Sequence, residues 1–413
     1  MEPLYVQKVI DLQESLMTLT ESNFDELFPH IQEILNNSKK SSFYKKFEQA
    51  INYRPTSIDV YVKLYGDLLK NRSRSEFDFL KQNKHASVLF YLNSTFGYFL
   101  YRCVEVGIYD KVEFVQLIRK FRHDHSEFVY EILILFCWFC PIIEHYDREL
   151  YDEIFVIFKK KSQMPNLTLS LKSFISNFDK MKENNWELQK KQAHGFGPDI
   201  YGEIINNDDV DKLREIAETP GFNINTRIKP SVFLKAKLLQ MYPTLIQHAA
   251  FVQSIKCFNF LFENHADPNI CSYANRTLAQ FAVAGGSMEI IKILYNANID
   301  FTGCAQIAAE YHQNNAFLWL YENRISDVNQ LHEYIGSSIH QSAKSNNLKI
   351  LIFCIEHGVD PNLRNSEKYT PLHYAAEFGS LDCLAYLLSL PNIEVNAKDS
   401  IVYFYNLEFI FIF

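Results

Sequence analysis

The stretch Thr370-Pro371-Leu372-His373-Tyr374-Ala375-Ala376-Glu377-Phe378-Gly379, closed by Leu387-Leu388 and Val395-Asn396, reads as a capped helix, a tight turn and a second helix. Thr370 supplies an N-cap oxygen. Pro371 suits the first helical position, where its missing N–H leaves nothing unsatisfied. Leu372, Ala375 and Ala376 give the first helix one small apolar face, and Gly379 can take the left-handed conformation that ends it. The second helix, Leu381 to Ser389, presents Leu384, Leu387 and Leu388 on one side, and the segment to Asn396 leads into a hairpin-like loop. Neither helix can bury its apolar face alone, so the unit requires neighbours.

Those neighbours precede it at a regular interval. Ser337 stands 33 residues before Thr370 and opens Ser338-Ile339-His340-Gln341-Ser342-Ala343, running on to His357-Gly358-Val359-Asp360-Pro361-Asn362. Thr277 and Thr244 are again 33 apart, heading Gln280-Phe281-Ala282-Val283-Ala284-Gly285-Gly286-Ser287 and Gln247-His248-Ala249-Ala250; Asn264-His265-Ala266-Asp267-Pro268-Asn269 closes the earlier one. Two fainter units begin near Asp199 and Gly303. The second starts only 26 residues after Thr277, so the loop before it is shortened. The first has about a dozen extra residues before Thr244.

A 33-residue period with this content resembles the ankyrin family over residues 196–400, in six units. The motif histidine stands at His373 and His340, while Gln247, Gln280 and Gln306 take its place elsewhere. Glutamine both donates and accepts hydrogen bonds, so the loop-bracing role can survive with altered geometry. The resemblance implies an all-α helix-turn-helix solenoid whose work is binding another protein. Residues 1–195 form a helical bundle or irregular helical stack in front of it. This organisation is similar to expanded ankyrin families of unicellular eukaryotes, whose helical half has no assigned chemistry.

Composition agrees with a helical globular chain. Of 413 residues 47% are apolar, ample for a core, and 13 glycines and 13 prolines argue against a β-rich fold. A balance of 41 basic to 49 acidic residues, net charge -8, argues against nucleic acid as a partner. The short runs Lys159-Lys160-Lys161 and Lys190-Lys191 read as solvated helix faces. Eight cysteines without framework spacing, and no apolar leader in Met1 to Thr20, point to a reducing intracellular compartment, cytoplasmic or nuclear. The sequons at Asn93 and Asn275 are then chance matches.

The helical half carries capping signals at Ser22-x-x-Asp25 and Thr56-Ser57 and predicts eight or nine helices. Its dense aromatics, including Phe90, Tyr91, Phe96, Tyr98, Phe99 and Tyr101, read as a packed core, because no cationic track interleaves them. Cys137-Trp138-Phe139-Cys140 lies inside the apolar run Ile132 to Ile143 and reads as buried hydrophobes without redox chemistry. At about 12 residues that run is too short to span a membrane and predicts a buried helix ending near Pro141.

After Asp399 the chain gives Ile401-Val402-Tyr403-Phe404-Tyr405-Asn406-Leu407-Glu408-Phe409-Ile410-Phe411-Ile412-Phe413. Repeat stacks need a polar terminal cap, and this segment, 401–413, is the opposite. The expectation is an array that naturally continues, interrupted here by truncation or misreading.

Two functions follow. The first is a non-catalytic scaffold that grips a protein through the concave face and loop tips of the repeats. Carried over by position, the groove residues are His248, Phe281, Gln341, Tyr374 and Phe378. The tips are Tyr273, Asn275, Arg276, Glu367, Lys368 and Tyr369. Each of these can instead pack against a neighbouring repeat. The second is an enzyme, or an adaptor for one, with its activity in the helical half. His123 and His125 beside Asp124 are the nearest polar cluster, and a surface turn accounts for them. No phosphate loop, nucleophile elbow or paired metal-ligand motif occurs, so no catalytic residue, cofactor, metal or small-molecule substrate is expected.

Overall fold

The computed structural model describes residues 3–36, 40–70, 94–161, 167–195, 199–324 and 328–398. The aromatic residues Phe90 and Tyr91, the sequon at Asn93 and the whole 401–413 segment lie outside them. Twenty-two α-helices are present among the described residues. The only β pairing there is an isolated antiparallel bridge, Arg227 to Thr244. The chain falls into two compact units, residues 15–299 and residues 1–14 with 300–413.

Among the described residues, ten helices precede residue 195 rather than eight or nine: α1 (Pro3–Met17), α2 (Phe24–Asn36), α3 (Lys40–Tyr53), α4 (Ile58–Lys70), α5 (Ser94–Glu105), α6 (Lys111–Asp124), α7 (Val129–Tyr146), α8 (Arg148–Lys161), α9 (Leu169–Ser176) and α10 (Phe178–Gln192). The last is broken at 183–186, where Asn184, Asn185 and Trp186 adopt positive φ. Of the aromatics named in the sequence, Phe96, Tyr98 and Phe99 are core, as the sequence predicts, and Tyr101 is half-buried. Phe47, Tyr61, Tyr65 and Phe99 form one buried cluster. Phe136, Tyr151, Phe158 and Phe178 form another, with ring centroids 5.1–6.4 Å apart.

Helix α7 corrects the expectation of an end near Pro141, because it runs through that residue to Tyr146. A proline at 141 cannot donate to the carbonyl four residues back, which leaves Cys137 O without its helical partner. The buried Gln189 supplies the missing donor, its Nε2 lying 3.1 Å from Cys137 O and 2.8 Å from Trp138 O. One side chain from α10 thus lets the helix continue. Val129–Tyr146 is long and apolar enough to cross a membrane, yet its central residues Ile132 to Cys140 are all buried against protein. Burial also pushes the Cys137 and Cys140 thiols well above their usual range, which is the inert behaviour of core cysteines.

The region that the sequence assigns to repeats begins with α11 (Ile200–Asn206) and α12 (Val210–Ala217). Then come α13 (Leu245–Val252) with α14 (Ile255–Glu263), α15 (Leu278–Gly285) with α16 (Met288–Asn296), and α17 (Cys304–Glu310) with α18 (Asn314–Arg324). The last pairs are α19 (Val328–Ser345) with α20 (Leu348–Glu356) and α21 (Pro371–Glu377) with α22 (Leu381–Leu388). Thr244, Thr277 and Thr370 all form capping boxes, with Gln247, Gln280 and His373 as their third-position partners. Gly379 is left-handed at φ 64°, and Gln253, His312 and Asn346 hold the same conformation at the turns of their own units. One start differs from expectation. Helix α19 begins at Val328, well before Ser337, whose hydroxyl instead accepts a hydrogen bond from Gln306.

The extra residues before Thr244 also find their purpose. Val232, Phe233 and Leu234 are fully buried, and Phe233 sets its ring edge-on to Trp138 at 5.0 Å and to Phe174 at 5.8 Å. They plug the helical core within the 15–299 unit.

Replacing Gln189 with Ala leaves the buried Cys137 carbonyl with only the weak Cys140 thiol contact at 3.8 Å, and should cost about 1–3 kcal/mol in urea unfolding. In a Pro141→Ala background, where the helix supplies its own donor, the same change should cost measurably less. Equal costs in both backgrounds would show that Gln189 does not serve the proline.

Candidate protein-binding surface

A buried bracing side chain, Gln247 in one unit and His340 in the other, holds each of two loop tips. Gln247 accepts from Thr244 N through Oε1 at 2.9 Å, and its Nε2 donates to Ile270 O at 2.6 Å and Arg276 O at 3.3 Å. In the smaller unit His340 Nε2 lies 2.9 Å from Leu363 O and 3.1 Å from Tyr369 O, the corresponding positions 93 residues on. Two carbonyl neighbours require that nitrogen to carry the hydrogen. Glutamine therefore does the histidine's work, with two amide hydrogens for two carbonyls.

The tips it braces are copies of one turn. Asn275 N donates to Ser272 O and Lys368 N to Asn365 O, each at 2.9 Å. The turns close with Ser272 N to Arg276 O and Asn365 N to Tyr369 O, each at 3.0 Å. Asn275 and Lys368 both sit at the left-handed position, φ 54° and 62°. That conformation projects the preceding side chains outward, and Tyr273, Asn275, Glu367 and Lys368 are exposed while Arg276 and Tyr369 are half-buried.

Two separate clusters result. In the 15–299 unit, Tyr273 is 67% exposed and stacks on Tyr242 at 4.5 Å. The Arg227 guanidinium lies 5.3 Å from the Tyr273 ring, held by donating to Tyr242 O and Cys271 O at 2.7 Å each. In the other unit Tyr369, Tyr374 and Phe378 form a stripe with ring centroids 5.6 and 6.2 Å apart. Lys344 Nζ stands 5.3 Å over Phe378 and pairs with Glu310 at 3.2 Å, and Asn365 donates to the Tyr374 hydroxyl at 3.2 Å. Partial burial, then Glu367 and Glu377, raise the pKa of that hydroxyl. Gln341 is half-buried on α19, 33 residues before Tyr374.

His248 and Phe281 are corrections. Both have no accessible surface, so neither can touch a partner. In this unit the face that the sequence assigns to a groove is closed by protein. The helical half and the 232–240 insertion, which no repeat rule describes, share that unit. Burial, and then the nearby Lys235 ammonium, lower the His248 pKa to about 3, with neither ring nitrogen hydrogen-bonded. Lys235 Nζ itself lies 4.7 Å over the Tyr98 ring.

In the polar cluster of the helical half His123 and Asp124 are exposed and His125 is half-buried. His123 pairs with Asp124 at 3.0 Å at the end of α6. A surface depression of about 570 Å³ beside it is lined by Arg119, Arg122 and Glu153 among others. Both arginines are engaged, Arg119 with Asp147 and Glu149 and Arg122 with Glu153.

Residues 305–399 match the family model for ankyrin repeats in three copies. The chain is 31% identical over 121 residues to putative ankyrin repeat protein L86 of Acanthamoeba polyphaga mimivirus, a match covering 29% of this chain and 20% of that protein. It thus spans about a fifth of the length of that curated relative. A solved complex, the Bd0816 predatory endopeptidase of Bdellovibrio bacteriovorus with immunity protein Bd3460, aligns at 15% identity over 46% of this chain and 96% of that one. Its TM-score of 0.33 is too low to establish a common fold. Ankyrin repeats are therefore present, and modules of this kind serve protein–protein interaction.

Two predictions follow from the site's electrostatics and bracing. An imidazole held neutral in the fold contributes fully above its unfolded pKa of about 6.5, and that contribution is lost as pH falls from there towards 3. At pH 5 the loss is about 2 kcal/mol, and His248→Leu should flatten the stability–pH curve between pH 6.5 and 4. An unchanged slope would remove His248 as the cause. Gln247→Ala should cost about 1–3 kcal/mol, while Gln247→His should recover part of it, measured by thermal unfolding. A histidine variant no better than alanine would refute the equivalence.

Proposed function

We propose that the chain is a non-catalytic scaffold that holds a protein partner on the Tyr369–Tyr374–Phe378 stripe, within a binding array at 196–400 accompanied by the helical region 1–195. The observation that carries this is the stripe itself. Three aromatic side chains lie half-buried in series, bordered by exposed Glu367 and Lys368 and by the Lys344–Glu310 pair. Such rings are already ordered by their neighbours, so a partner that covers them gains apolar contact at little entropic cost. The charges beside them suit a mixed-charge protein surface rather than a polyanion. Tyr273, Asn275 and Arg276 offer a second exposed tip of the same build. Eight free cysteines, seven of them buried, fit a reducing cytoplasmic setting.

A pull-down with mass spectrometry from the source cells tests this, using the full chain and its Tyr369→Ala/Tyr374→Ala/Phe378→Ala variant. A specific partner should be captured by the first and weakened at least tenfold with the second, as loss of clustered aromatic anchors does. Tyr273→Ala in the same assay reports whether the second tip contributes. A partner that survives the triple change places the binding surface elsewhere.

A further inference from the structure

The first twelve described residues do not pack as a free arm. In the smaller unit, Gln13 on α1 is 4% exposed, and its Nε2 donates to Asn346 O at 2.8 Å and reaches Asp382 Oδ2 at 3.4 Å. Glu14 pairs with Lys349. Val9 and Leu12, one turn apart on the same face, are buried, whereas Leu4 and Tyr5 are 67% and 50% exposed. An amphipathic helix therefore reaches the repeats through one buried amide and one half-exposed ion pair, with Val9 and Leu12 buried on the same side of it.

The surface beneath is organised without it. Asn346, left-handed at φ 60°, accepts from Asp382 N and Cys383 N at 3.1 Å through Oδ1 and donates to Asp382 Oδ2 at 2.7 Å. These bonds cap the first turn of α22 and fix the Asp382 carboxylate and the Asn346 carbonyl as two acceptors side by side. Lys349 in the first turn of α20 adds a cation close by. Two acceptors and a cation complement an amide followed by a carboxylate, which is the Gln13-Glu14 dipeptide.

We propose that this turn-side edge of the last two repeats, separate from the aromatic stripe, is a receptor for an amphipathic helix of the pattern Val-x-x-Leu-Gln-Glu. Residues 3–14 are its resting occupant in cis. The receptor is pre-formed by the Asn346–Asp382 bonds, whereas a helix this short is marginal when alone, so the occupant can exchange. A tethered ligand competes at an effective concentration near millimolar, which keeps the edge closed to weak helices and open to a protein partner whose helix fits better.

A fluorescein-labelled peptide of residues 1–17, titrated into the full chain by fluorescence anisotropy, tests this. Binding should be weak to the wild type and at least tenfold tighter to the Gln13→Ala/Glu14→Ala chain, whose own helix is loosened and whose receptor is intact. Adding Lys349→Glu should abolish the gain, and a peptide carrying Glu14→Lys should restore binding to that chain. Hydrogen exchange of residues 3–14 should rise in the Gln13→Ala/Glu14→Ala chain. Equal peptide affinity for both chains overturns the proposal, as does absence of binding when exchange shows the helix released. Failure of the charge-swapped peptide on a chain with an unchanged circular-dichroism spectrum overturns the assigned contact.

Discussion

Two loops of the array depend on a buried side chain that pins their carbonyls, and at Gln247 that side chain answers to two masters, the cap of its own helix and the loop that follows. A helix of seven or eight residues has too few internal bonds to stand alone, and a loop carrying six or more backbone groups cannot be left unsatisfied. Gln247 settles both demands at once, closing the start of α13 and pinning two carbonyls of the next loop, whereas His340, inside α19, pins the two corresponding carbonyls without capping a helix. Because the pinned carbonyls are those on either side of the turn, the direction of the tip follows from the brace. Exposure of Tyr273 and the half-exposure of Tyr369 are therefore products of a buried hydrogen bond.

The same logic extends to the turns between paired helices. Asp208, left-handed at φ 51°, accepts from Ser254 Oγ, Lys256 N and Cys257 N of the next repeat; burial raises its pKa, and these bonds together outweigh that and hold the carboxyl below the usual range. Asn346 does the equivalent for α22. In both places a residue forced into the glycine-like region is kept there by what its side chain caps. Within each compact unit, successive repeats are joined by apolar faces, by braces and by these turns, which is the nearest-neighbour arrangement expected of a solenoid.

How much of this was legible depended on how local the cause was. The Thr370 unit could be read because cap, proline, small apolar face and glycine all lie within ten residues. The capping boxes at Thr244 and Thr277 followed by position. What escaped was non-local. Pro141 signals a helix end to any local rule, and only a glutamine 48 positions later reverses it. Ser337 looks like a cap in the correct register, yet α19 is already underway at Val328. His248 and Phe281 occupy positions that face a groove in a bare array, and no pattern in α13 or α15 announces that this face is closed. The insertion carrying Phe233 gave only its length as a signal, although three successive apolar residues, Val232-Phe233-Leu234, inside a polar loop could have marked it as core. The Gln13–Asn346 contact spans 333 residues and leaves no trace at either end.

The bond between Gln189 and the carbonyl of Cys137 carries a consequence for how the chain is made. A ribosome adding about 5–20 residues per second delivers position 189 roughly 2–10 s after position 141. During that interval a long and strongly apolar helix exists with its backbone interrupted and its donor not yet synthesised. The nascent chain thus presents a sticky, incompletely bonded segment for seconds, and it is there, more than in any later repeat, that a chaperone would be needed.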